Sequence, residues 1–357
     1  MTDFSELPIR DDLRGERPYG APQLAVPVQL NVNENPHAPS AALVHDILAE
    51  ASAAVADANR YPDREFADLR SALAGYLGHG LGAEQLWAAN GSNEIFQQFL
   101  QAFGGPGRTM LGFDPTYSMY PLLSRITGTE YVGVPRLADF EITAEHAVAA
   151  VEAHRPDVVV LCRPNNPTGT GLGLDVIEAV YAATAGMVIV DEAYQEFSEA
   201  PSAAGLLPGR ERLAISRTMS KAFAFAGIRL GYLAADPAVI DALRIVRLPY
   251  HLSGLTQAAA RVALRHAPEL LATVQDIKRQ RDRISASLPG LGYRPYASES
   301  NFVLFDGVVD PKRTFQGLLD RGVIVRDIGI PHTLRVTAGT GTETSAFLKA
   351  LAALPND

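Results

Sequence analysis

Polar and ionisable side chains occur in five short segments that each follow a run of apolar residues. These segments are 90–93 (NGSN), 114–117 (DPTY), 163–169 (RPNNPTG), 191–194 (DEAY) and 218–221 (TMSK). The apolar runs before them are short, rich in Val, Ile and Leu and not alternating, as in parallel strands covered on both faces. In an open sheet of this kind, ligands bind beyond the carboxyl ends of the strands. We therefore expect the five segments to converge on one site.

Lys221 is the candidate nucleophile of this site. Ser220 and Arg229, which lies eight residues later, add a hydroxyl group and a fixed cation. In a partly buried cleft, a lysine beside an arginine has a lowered pKa, so that it is a free amine at neutral pH and forms a Schiff base. The alternative is a solvated surface lysine, the commoner state of this residue type.

Three further features indicate what the lysine would bind. Asp191 ends an apolar run, and a buried carboxylate there needs a partner such as a protonated pyridine nitrogen; a helix N-cap or a structural ion pair is the alternative. Gly91, Ser92 and Asn93 begin a predicted helix whose free N–H groups suit a phosphate, although an ordinary Ser or Asn N-cap has the same sequence. Asn166 lies in a turn and would direct an amide donor into the cleft.

Spacing excludes several other kinds of site. The glycines at 169, 171 and 173 do not form a dinucleotide-binding loop, because position 174 is Leu174 and the stretch does not leave a strand directly. No phosphate-binding P-loop and no nucleophile-elbow sequence is present. The eight histidines lack the spacing of zinc ligands, so we expect no metal site.

Composition limits the class of protein. A chain of 357 residues favours about two domains, and 47% hydrophobic with 20% charged residues excludes a disordered chain. The net charge of −9 argues against a nucleic-acid-binding protein but not against a local cationic pocket. The N-terminus lacks a secretory signal pattern, and no apolar run approaches the roughly 18 residues of a membrane span. We expect a soluble, cytoplasmic protein that binds neither nucleic acid nor membranes.

Alternating strands and helices predict an α/β fold, with a large, mostly parallel seven-stranded sheet between helices and a smaller α+β domain. The predicted strands of the large sheet are 85–89, 109–113, 130–134, 157–161, 187–190, 212–216 and 229–234. The predicted helices between them include 93–103, 116–126, 144–153 and 175–185.

Three parts of the chain differ in character. Residues 1–40 are Pro-rich and predict an extended arm, and residues 41–250 form the large domain, which begins with a helix at 41–58 capped by Ser40. Residues 251–357 form the small domain, with a long helical region at 256–288 and strands at 302–305, 323–326 and 333–336. We expect the arm to pack with the small domain and with a partner subunit.

At these motifs the sequence resembles the fold-type I aminotransferases, which depend on pyridoxal 5′-phosphate. The matching segments are 165–169 (NNPTG), 191–194 (DEAY), 220–221 (SK) and 226–232 (AGIRLGY). Within that group it is most similar to the histidinol-phosphate aminotransferases, through 19–22 (YGAP), 33–36 (NENP), 60–63 (RYPD), 91–94 (GSNE), 300–302 (SNF) and 334–337 (LRVT). The resemblance spans roughly residues 5 to 350, and its motifs are more specific for the cofactor than for the substrate.

The resemblance implies a role for each site residue. Lys221 would bind the cofactor as a Schiff base and move a proton between substrate and cofactor, while Asp191 would keep the pyridine nitrogen protonated. Asn166 and Tyr194 would contact the ring oxygen, and Tyr117 would stack on the ring. The residues implied to hold the cofactor phosphate are Ser92, Asn93, Thr218, Ser220, Arg229 and, from a second copy of the chain, Tyr61. The active sites would therefore be shared in a homodimer.

The implied reaction is a ping-pong conversion of histidinol phosphate and 2-oxoglutarate to imidazole-acetol phosphate and glutamate, in histidine biosynthesis. One substrate carries a phosphate and the other two carboxylates, and guanidinium groups pair with both kinds of anion. Arg335 is implied to bind the α-carboxylate, and we expect Arg326 to be its partner; a surface ion pair is the alternative, more so for Arg326. Tyr19 resembles a family tyrosine that contacts substrate phosphate across the dimer, although a simple arm anchor is the alternative. Asn33 is a further substrate-binding candidate.

Two other functions remain open at this point. One is an aromatic amino-acid aminotransferase of the same fold, and the other is a non-catalytic binding protein that keeps the fold, which the intact Lys221, Asp191 and Arg229 argue against. At position 163, where many family members have a small residue, we expect the arginine side chain to point away from the cofactor. The residues that we expect to be core are Trp87, Cys162, Phe223 and Phe225.

Overall fold

The alternating elements predicted from the sequence are present in the computed structural model, which describes residues 7–14, 20 and 22–354. The strands are β1 (Val28–Gln29), β2 (Leu86–Ala89), β3 (Thr109–Asp114), β4 (Glu130–Pro135), β5 (Val158–Cys162), β6 (Met187–Asp191), β7 (Leu213–Thr218), β8 (Gly231–Ala235), β9 (Arg294–Pro295), β10 (Phe302–Asp306), β11 (Val323–Ile324) and β12 (Leu334–Thr337). The helices are α1 (Ala41–Ala56), α2 (Ala67–Leu77), α3 (Ser92–Phe103), α4 (Met119–Thr127), α5 (Ala144–His154), α6 (Leu174–Ala183), α7 (Pro237–Val246), α8 (Gly254–Arg265), α9 (Ala267–Ser287), α10 (Pro311–Leu319) and α11 (Gly341–Ala352).

The large sheet has the strand order β2-β8-β7-β6-β5-β3-β4 within the described residues. Every neighbouring pair is parallel except those of β8, which runs antiparallel to both β2 and β7. All five side chains of β5 are buried, which explains why its sequence is continuously apolar rather than alternating. The prediction of an α/β fold with a mostly parallel seven-stranded sheet is confirmed.

Two smaller sets of strands lie outside the large sheet. Strand β10 pairs antiparallel with β9 and β12, and β1 pairs in parallel with β11. Leu30 continues the pairing of β1, because its N–H donates to Ile324 and its carbonyl accepts from Thr337. The N-terminal segment is thus held by backbone hydrogen bonds to strands that come almost 300 residues later in the chain.

Some predicted boundaries were wrong for identifiable reasons. The strand predicted at 229–234 begins only at Gly231, because Arg229 adopts a left-handed backbone conformation with φ of 63°. The helical region predicted at 256–288 is two helices that meet at His266, and α9 carries Pro268 in its first turn. The helix predicted to begin at 116 begins at Met119.

The helix caps account for several of the observed boundaries. Ser40 caps α1 as predicted, since its hydroxyl oxygen accepts a hydrogen bond from the Leu43 N–H. Helix α8, which follows the large sheet in the chain, packs on α1 and α2. Within the described ranges, none of the helices combines the length and apolar content needed to cross a membrane.

Candidate active site

The polar segments at the strand ends surround a cavity of about 1410 Å³. Asp191 and Thr218 are the last residues of β6 and β7, so their side chains lie at the carboxyl edge of the sheet. The residues singled out from the sequence that line this cavity are Asn33, Ser92, Asn93, Tyr117, Asn166, Asp191, Tyr194, Thr218, Ser220, Lys221, Arg229, Arg326 and Arg335.

Two of the residues singled out from the sequence are not in this lining. Tyr61 is 79% exposed, and its ring stacks on that of Tyr250 with 4.3 Å between the ring centroids. Tyr19 lies outside the described residues. The exposure of Tyr61 leaves its ring accessible to a second protein chain.

Asp191 is a buried carboxylate that faces the cavity without a cationic partner among the described residues. Its Oδ2 accepts a hydrogen bond from the Tyr120 hydroxyl at 2.7 Å, and its Oδ1 accepts one from the Ala193 N–H at 3.2 Å. Burial raises the pKa of Asp191 to about 6, and these hydrogen bonds oppose that rise only in part. The predicted alternative of a structural ion pair is not what the structure shows. The carboxylate is therefore available to a cation inside the cavity.

Lys221 is partly buried at the cavity wall. Its Nζ donates a hydrogen bond to the backbone oxygen of Val32 at 3.1 Å. The pKa of Lys221 is lowered to about 8, chiefly by burial and then by the positive charge of Arg335, while Glu34 opposes the shift and Arg229 adds a smaller lowering. The sequence argument used partial burial and Arg229, whereas the structure adds Arg335, whose effect exceeds that of Arg229. An appreciable fraction of this amine is unprotonated near neutral pH, as a nucleophile or base requires.

The N-terminus of α3 is open toward the cavity. Its N-cap is Gly91, which has no side chain, so the alternative of an ordinary Ser or Asn cap does not apply. Gly91 has a φ of 87°, and a Cβ built there would lie 2.6 Å from a guanidinium nitrogen of Arg229. Glycine therefore allows Arg229 to lie over the helix end, where uncapped N–H groups and the helix dipole already favour an anion. Arg229 also approaches the Ser220 hydroxyl at 3.5 Å.

A hydrogen-bonded chain of side chains lines another wall of the cavity. The Tyr194 hydroxyl accepts from Asn33 at 2.9 Å and from Asn166 at 3.4 Å. Arg335 donates to the Asn166 amide oxygen at 2.6 Å and to the backbone oxygen of Asn31 at 3.0 Å. The amide of Asn33, considered above for substrate binding, is thus used to position Tyr194.

Arg326 and Arg335 are neighbours on two paired strand segments. Each donates its backbone N–H to the other's carbonyl oxygen at 2.9 Å in an antiparallel bridge. Residues paired in this way project their side chains to the same face. Arg335 is buried and lies over the Phe302 ring at 5.0 Å. Both residues line the cavity, so two cationic side chains lie where the sequence predicted an anion to bind.

With the exception of Cys162, the side chains that were expected to lie away from the cavity do so. Arg163 is buried and donates to Glu192 at 2.9 Å and to Gln195 at 2.8 Å, away from the cavity. Cys162 reaches the lining, yet burial raises the pKa of its thiol to about 12, so it is not a nucleophile. The three aromatic residues predicted to be core are confirmed as buried, namely Trp87, Phe223 and Phe225.

The sequence argument missed two kinds of contact. The backbone oxygens of Asn31 and Val32 hold Arg335 and Lys221, and no side-chain pattern encodes such partners. Tyr120 lies one helical turn after Tyr117, a spacing that is also typical of core packing. Only the buried carboxylate that it contacts distinguishes Tyr120 from a core tyrosine.

The fold and the site together define a class of enzyme. Residues 25–354 match the family model "Aminotransferase class I and II", and the chain belongs to this family. Histidinol-phosphate aminotransferase of Paenarthrobacter aurescens (strain TC1) is 61% identical over 356 residues, which cover 98% of this chain and 96% of the relative. Histidinol-phosphate aminotransferase of Thermobifida fusca (strain YX) is 57% identical, with coverage of 98% and 96%.

A solved structure gives the same result for the fold. Histidinol-phosphate aminotransferase from Sinorhizobium meliloti, determined in complex with pyridoxal-5′-phosphate, superposes with a TM-score of 0.82 at 25% sequence identity. The superposition covers 92% of this chain and 90% of that one. The similarity therefore includes both the large sheet and the C-terminal region.

Proposed function

We propose that this protein is a pyridoxal-phosphate-dependent aminotransferase that converts L-histidinol phosphate and 2-oxoglutarate to imidazole-acetol phosphate and L-glutamate, reversibly. The observation that carries the proposal is one cavity lined by a lysine of lowered pKa, an uncapped helix N-terminus and a buried carboxylate that none of the described cationic side chains pairs with. The names of the relatives at 61% and 57% identity support this substrate.

The cavity fits each part of the cofactor. Asp191 would face the protonated pyridine nitrogen, which supplies the cation that this carboxylate lacks among residues 7–14, 20 and 22–354. Tyr194 and Asn166 would contact the ring oxygen, and Tyr117 the ring face. The groups that would hold the phosphate are the α3 N-terminus with Ser92 and Asn93, together with Thr218, Ser220 and Arg229. When bound, pyridoxal phosphate supplies an electron sink for negative charge that develops at the substrate Cα.

Lys221 would carry the attachment of the cofactor and the proton transfer at the substrate Cα. The Val32 backbone oxygen positions Nζ, and burial keeps part of the amine unprotonated near neutral pH. A base whose pKa lies near the working pH combines the correct protonation state with sufficient basicity. The hydrogen bond from Asn33 to Tyr194 holds the adjoining wall of the cavity in place.

The arginine pair would accept the anionic end of both substrates. Replacing Arg335 with alanine is expected to raise KM for histidinol phosphate and for 2-oxoglutarate by about 10- to 100-fold each, since hydrogen bonds to charged groups contribute about 1.5–3 kcal/mol. Steady-state kinetics with each substrate varied in turn measures the effect. Arg321→Ala, at an exposed arginine just after α10, is the matched control and should leave both KM values unchanged. A loss confined to 2-oxoglutarate would contradict the shared site.

The homodimer is a further part of the proposal. Large apolar side chains are exposed on α1, on α8 and around the end of α7, and one of them, Tyr250, stacks on Tyr61. These side chains are Val44, Leu48, Val55, Ile245, Leu248, Tyr250 and Leu255. Exposed large apolar side chains on neighbouring elements are typical of an interface between subunits, and α1 packs directly on α8. This surface supports an arrangement in which Tyr61 of the partner subunit would reach the cofactor phosphate.

Placing a charge on this surface tests the dimer. Ile245→Glu is expected to give a monomer in sedimentation velocity and to weaken binding of pyridoxal phosphate at least about 10-fold, because a phosphate contact is lost with the partner. Val309→Glu, at an exposed valine outside this surface, should remain dimeric and bind the cofactor normally. Tyr61→Phe should weaken cofactor binding without changing the sedimentation coefficient. A monomer with wild-type cofactor affinity would argue against shared active sites.

A substrate panel decides between this function and its nearest alternative. The ratio of kcat/KM for histidinol phosphate to that for phenylalanine, with 2-oxoglutarate as acceptor, should strongly favour histidinol phosphate. Preference for phenylalanine would instead indicate an aromatic amino-acid aminotransferase. A bound cofactor should give a visible absorption band that borohydride abolishes. If the purified protein lacks this band, the protein is non-catalytic.

We also propose the division into an arm (residues 1–40), a large domain (41–250) and a small domain (251–357), and a cytoplasmic location. The pairing of β1 with β11 supports packing of the arm against the small domain. Limited proteolysis tests these boundaries, and the cellular location stays a prediction.

A further inference from the structure

Tyr120 makes the only side-chain hydrogen bond to Asp191 in the described part of the chain. Its hydroxyl donates to Asp191 Oδ2 at 2.7 Å, and the other carboxylate oxygen accepts from a backbone N–H. Tyr120 is completely buried and does not line the cavity. Tyr120 can therefore affect the cavity contents only through its neighbours, and among these Asp191 is the side chain to which its hydroxyl donates.

The tyrosine ring is held rigidly. It packs against Phe96 of α3 with 5.1 Å between centroids and against Tyr117 in an edge-to-face contact at 5.5 Å. Burial raises the pKa of the Tyr120 phenol well above its ordinary value, so the group remains a hydrogen-bond donor at all working pH values. A fixed donor aimed at one oxygen selects both the orientation and the charged form of the carboxylate.

Other titratable and charged groups surround this pair. Cys162 approaches from β5 as a neutral thiol. Arg136, which follows β4, interacts electrostatically with this thiol and with Tyr120. Glu192 follows Asp191 directly, and its negative charge disfavours ionisation of Asp191. That charge is compensated, because Glu192 is paired with Arg163 at 2.9 Å and with Arg217 at 3.2 Å. Tyr120 is thus the side chain whose contact most directly favours the Asp191 carboxylate.

We propose that Tyr120 is a positioning residue that holds Asp191 ionised and aimed into the cavity, and thereby controls how firmly the ring nitrogen of the cofactor is kept protonated. The proposal rests on the proposed function for the identity of the cofactor. The contact between the two side chains does not depend on the substrate.

The first test uses the cofactor-free chain. Wild-type stability to urea should fall as the pH rises through about 6, because Asp191 then ionises in a buried position. In Tyr120→Phe this fall should extend about one pH unit higher, since a hydrogen bond to the charged form has been removed. In an Asp191→Asn background, Tyr120→Phe should change the pH dependence no further.

The second test uses the cofactor-bound enzyme. Tyr120→Phe should lower kcat about 10-fold or more, weaken cofactor binding several-fold and leave KM for histidinol phosphate within about two-fold. Tyr76→Phe is the matched control, because Tyr76 donates to a different carboxylate, that of Glu196, at 3.2 Å. It should leave the pH profile and the cofactor affinity unchanged. If Tyr120→Phe does not fold, 3-fluorotyrosine can be placed at position 120 instead. It is a stronger hydrogen-bond donor, so the pH midpoint, meaning the pH at which Asp191 ionises in the folded chain, should move downward.

The outcomes separate the two proposals. An unchanged pH midpoint and cofactor affinity in Tyr120→Phe, or in the fluorinated protein, would overturn the role of Tyr120. So would an effect of equal size in the Asp191→Asn background, since it would not pass through Asp191. If the coupling is present but histidinol phosphate is not transaminated, the positioning role stands and the proposed substrate fails.

Discussion

Replacing Lys221 with alanine is expected to lower kcat for transamination by at least about 10⁴-fold while leaving the fold intact. The side chain would supply both the attachment point of the cofactor and the base at the substrate Cα, so one substitution removes two functions. The Nζ contact that is lost is to a backbone oxygen at the cavity wall, and no packed core side chain depends on it. The fold should therefore survive.

Single-turnover kinetics and circular dichroism measure the two parts of this prediction. Lys312→Ala, at an exposed lysine on α10, is the control and should retain wild-type turnover. The Lys221→Ala protein should still bind pyridoxal phosphate, because the phosphate and ring contacts remain, but it should lack the band that borohydride removes. Appreciable turnover by this variant would show that another residue is the nucleophile.

Asp191→Asn is expected to lower kcat by about 10²- to 10³-fold and, at the same time, to stabilise the cofactor-free chain. Asparagine keeps the shape and accepts the Tyr120 hydrogen bond, but it cannot support a protonated ring nitrogen. The folded-state pKa of about 6 lies above the ordinary value of 3.8, so the folded chain binds this proton more tightly than the unfolded chain. The wild type therefore loses stability as the pH rises through about 6, and the variant does not.

Urea unfolding of the cofactor-free proteins at pH 5 and pH 8 tests the sign of this effect. The variant should be more stable than wild type by about 1–3 kcal/mol at pH 8, with a smaller difference at pH 5. Adding pyridoxal phosphate should stabilise the wild type more than the variant, because only the wild type gains an ion pair. Asp175→Asn, at an exposed aspartate of α6, should show neither effect. If the difference in stability between wild type and variant were the same at pH 5 and pH 8, burial would not raise the pKa of Asp191.

The sequence predicted the large sheet because buried parallel strands leave a continuous apolar pattern, as β5 and β6 do. It did not predict that β8 is antiparallel, since hydrophobic pattern carries no information about strand direction. Three helices that were not predicted had readable start signals: Asp-Pro pairs begin α7 (236–237) and α10 (310–311), and the capping box of Thr340 and Glu343 begins α11.

The polar and ionisable residues at the strand ends could likewise be selected from the sequence as the side chains that line the cavity, because residue type determines which chemistry a side chain can perform. The contacts that tune them were not predictable. The Lys221 amine is held by a backbone oxygen from a segment 189 residues away in the chain, and Asn33 reaches Tyr194 across 161 residues. Such contacts depend on how the arm folds over the sheet, which no local pattern records.

The segment after β1 provides Arg335 and Lys221 with backbone oxygens, those of Asn31 and Val32, rather than with side chains. Any amino acid supplies a backbone oxygen, so substitution at position 32 is compatible with an intact lysine contact. A change in chain length is not compatible with these contacts, because one residue inserted directly after β1 would displace both backbone oxygens and the contact with Tyr194 together. During divergence of this enzyme, insertions and deletions in the segment should therefore be selected against more strongly than exchanges of side chains.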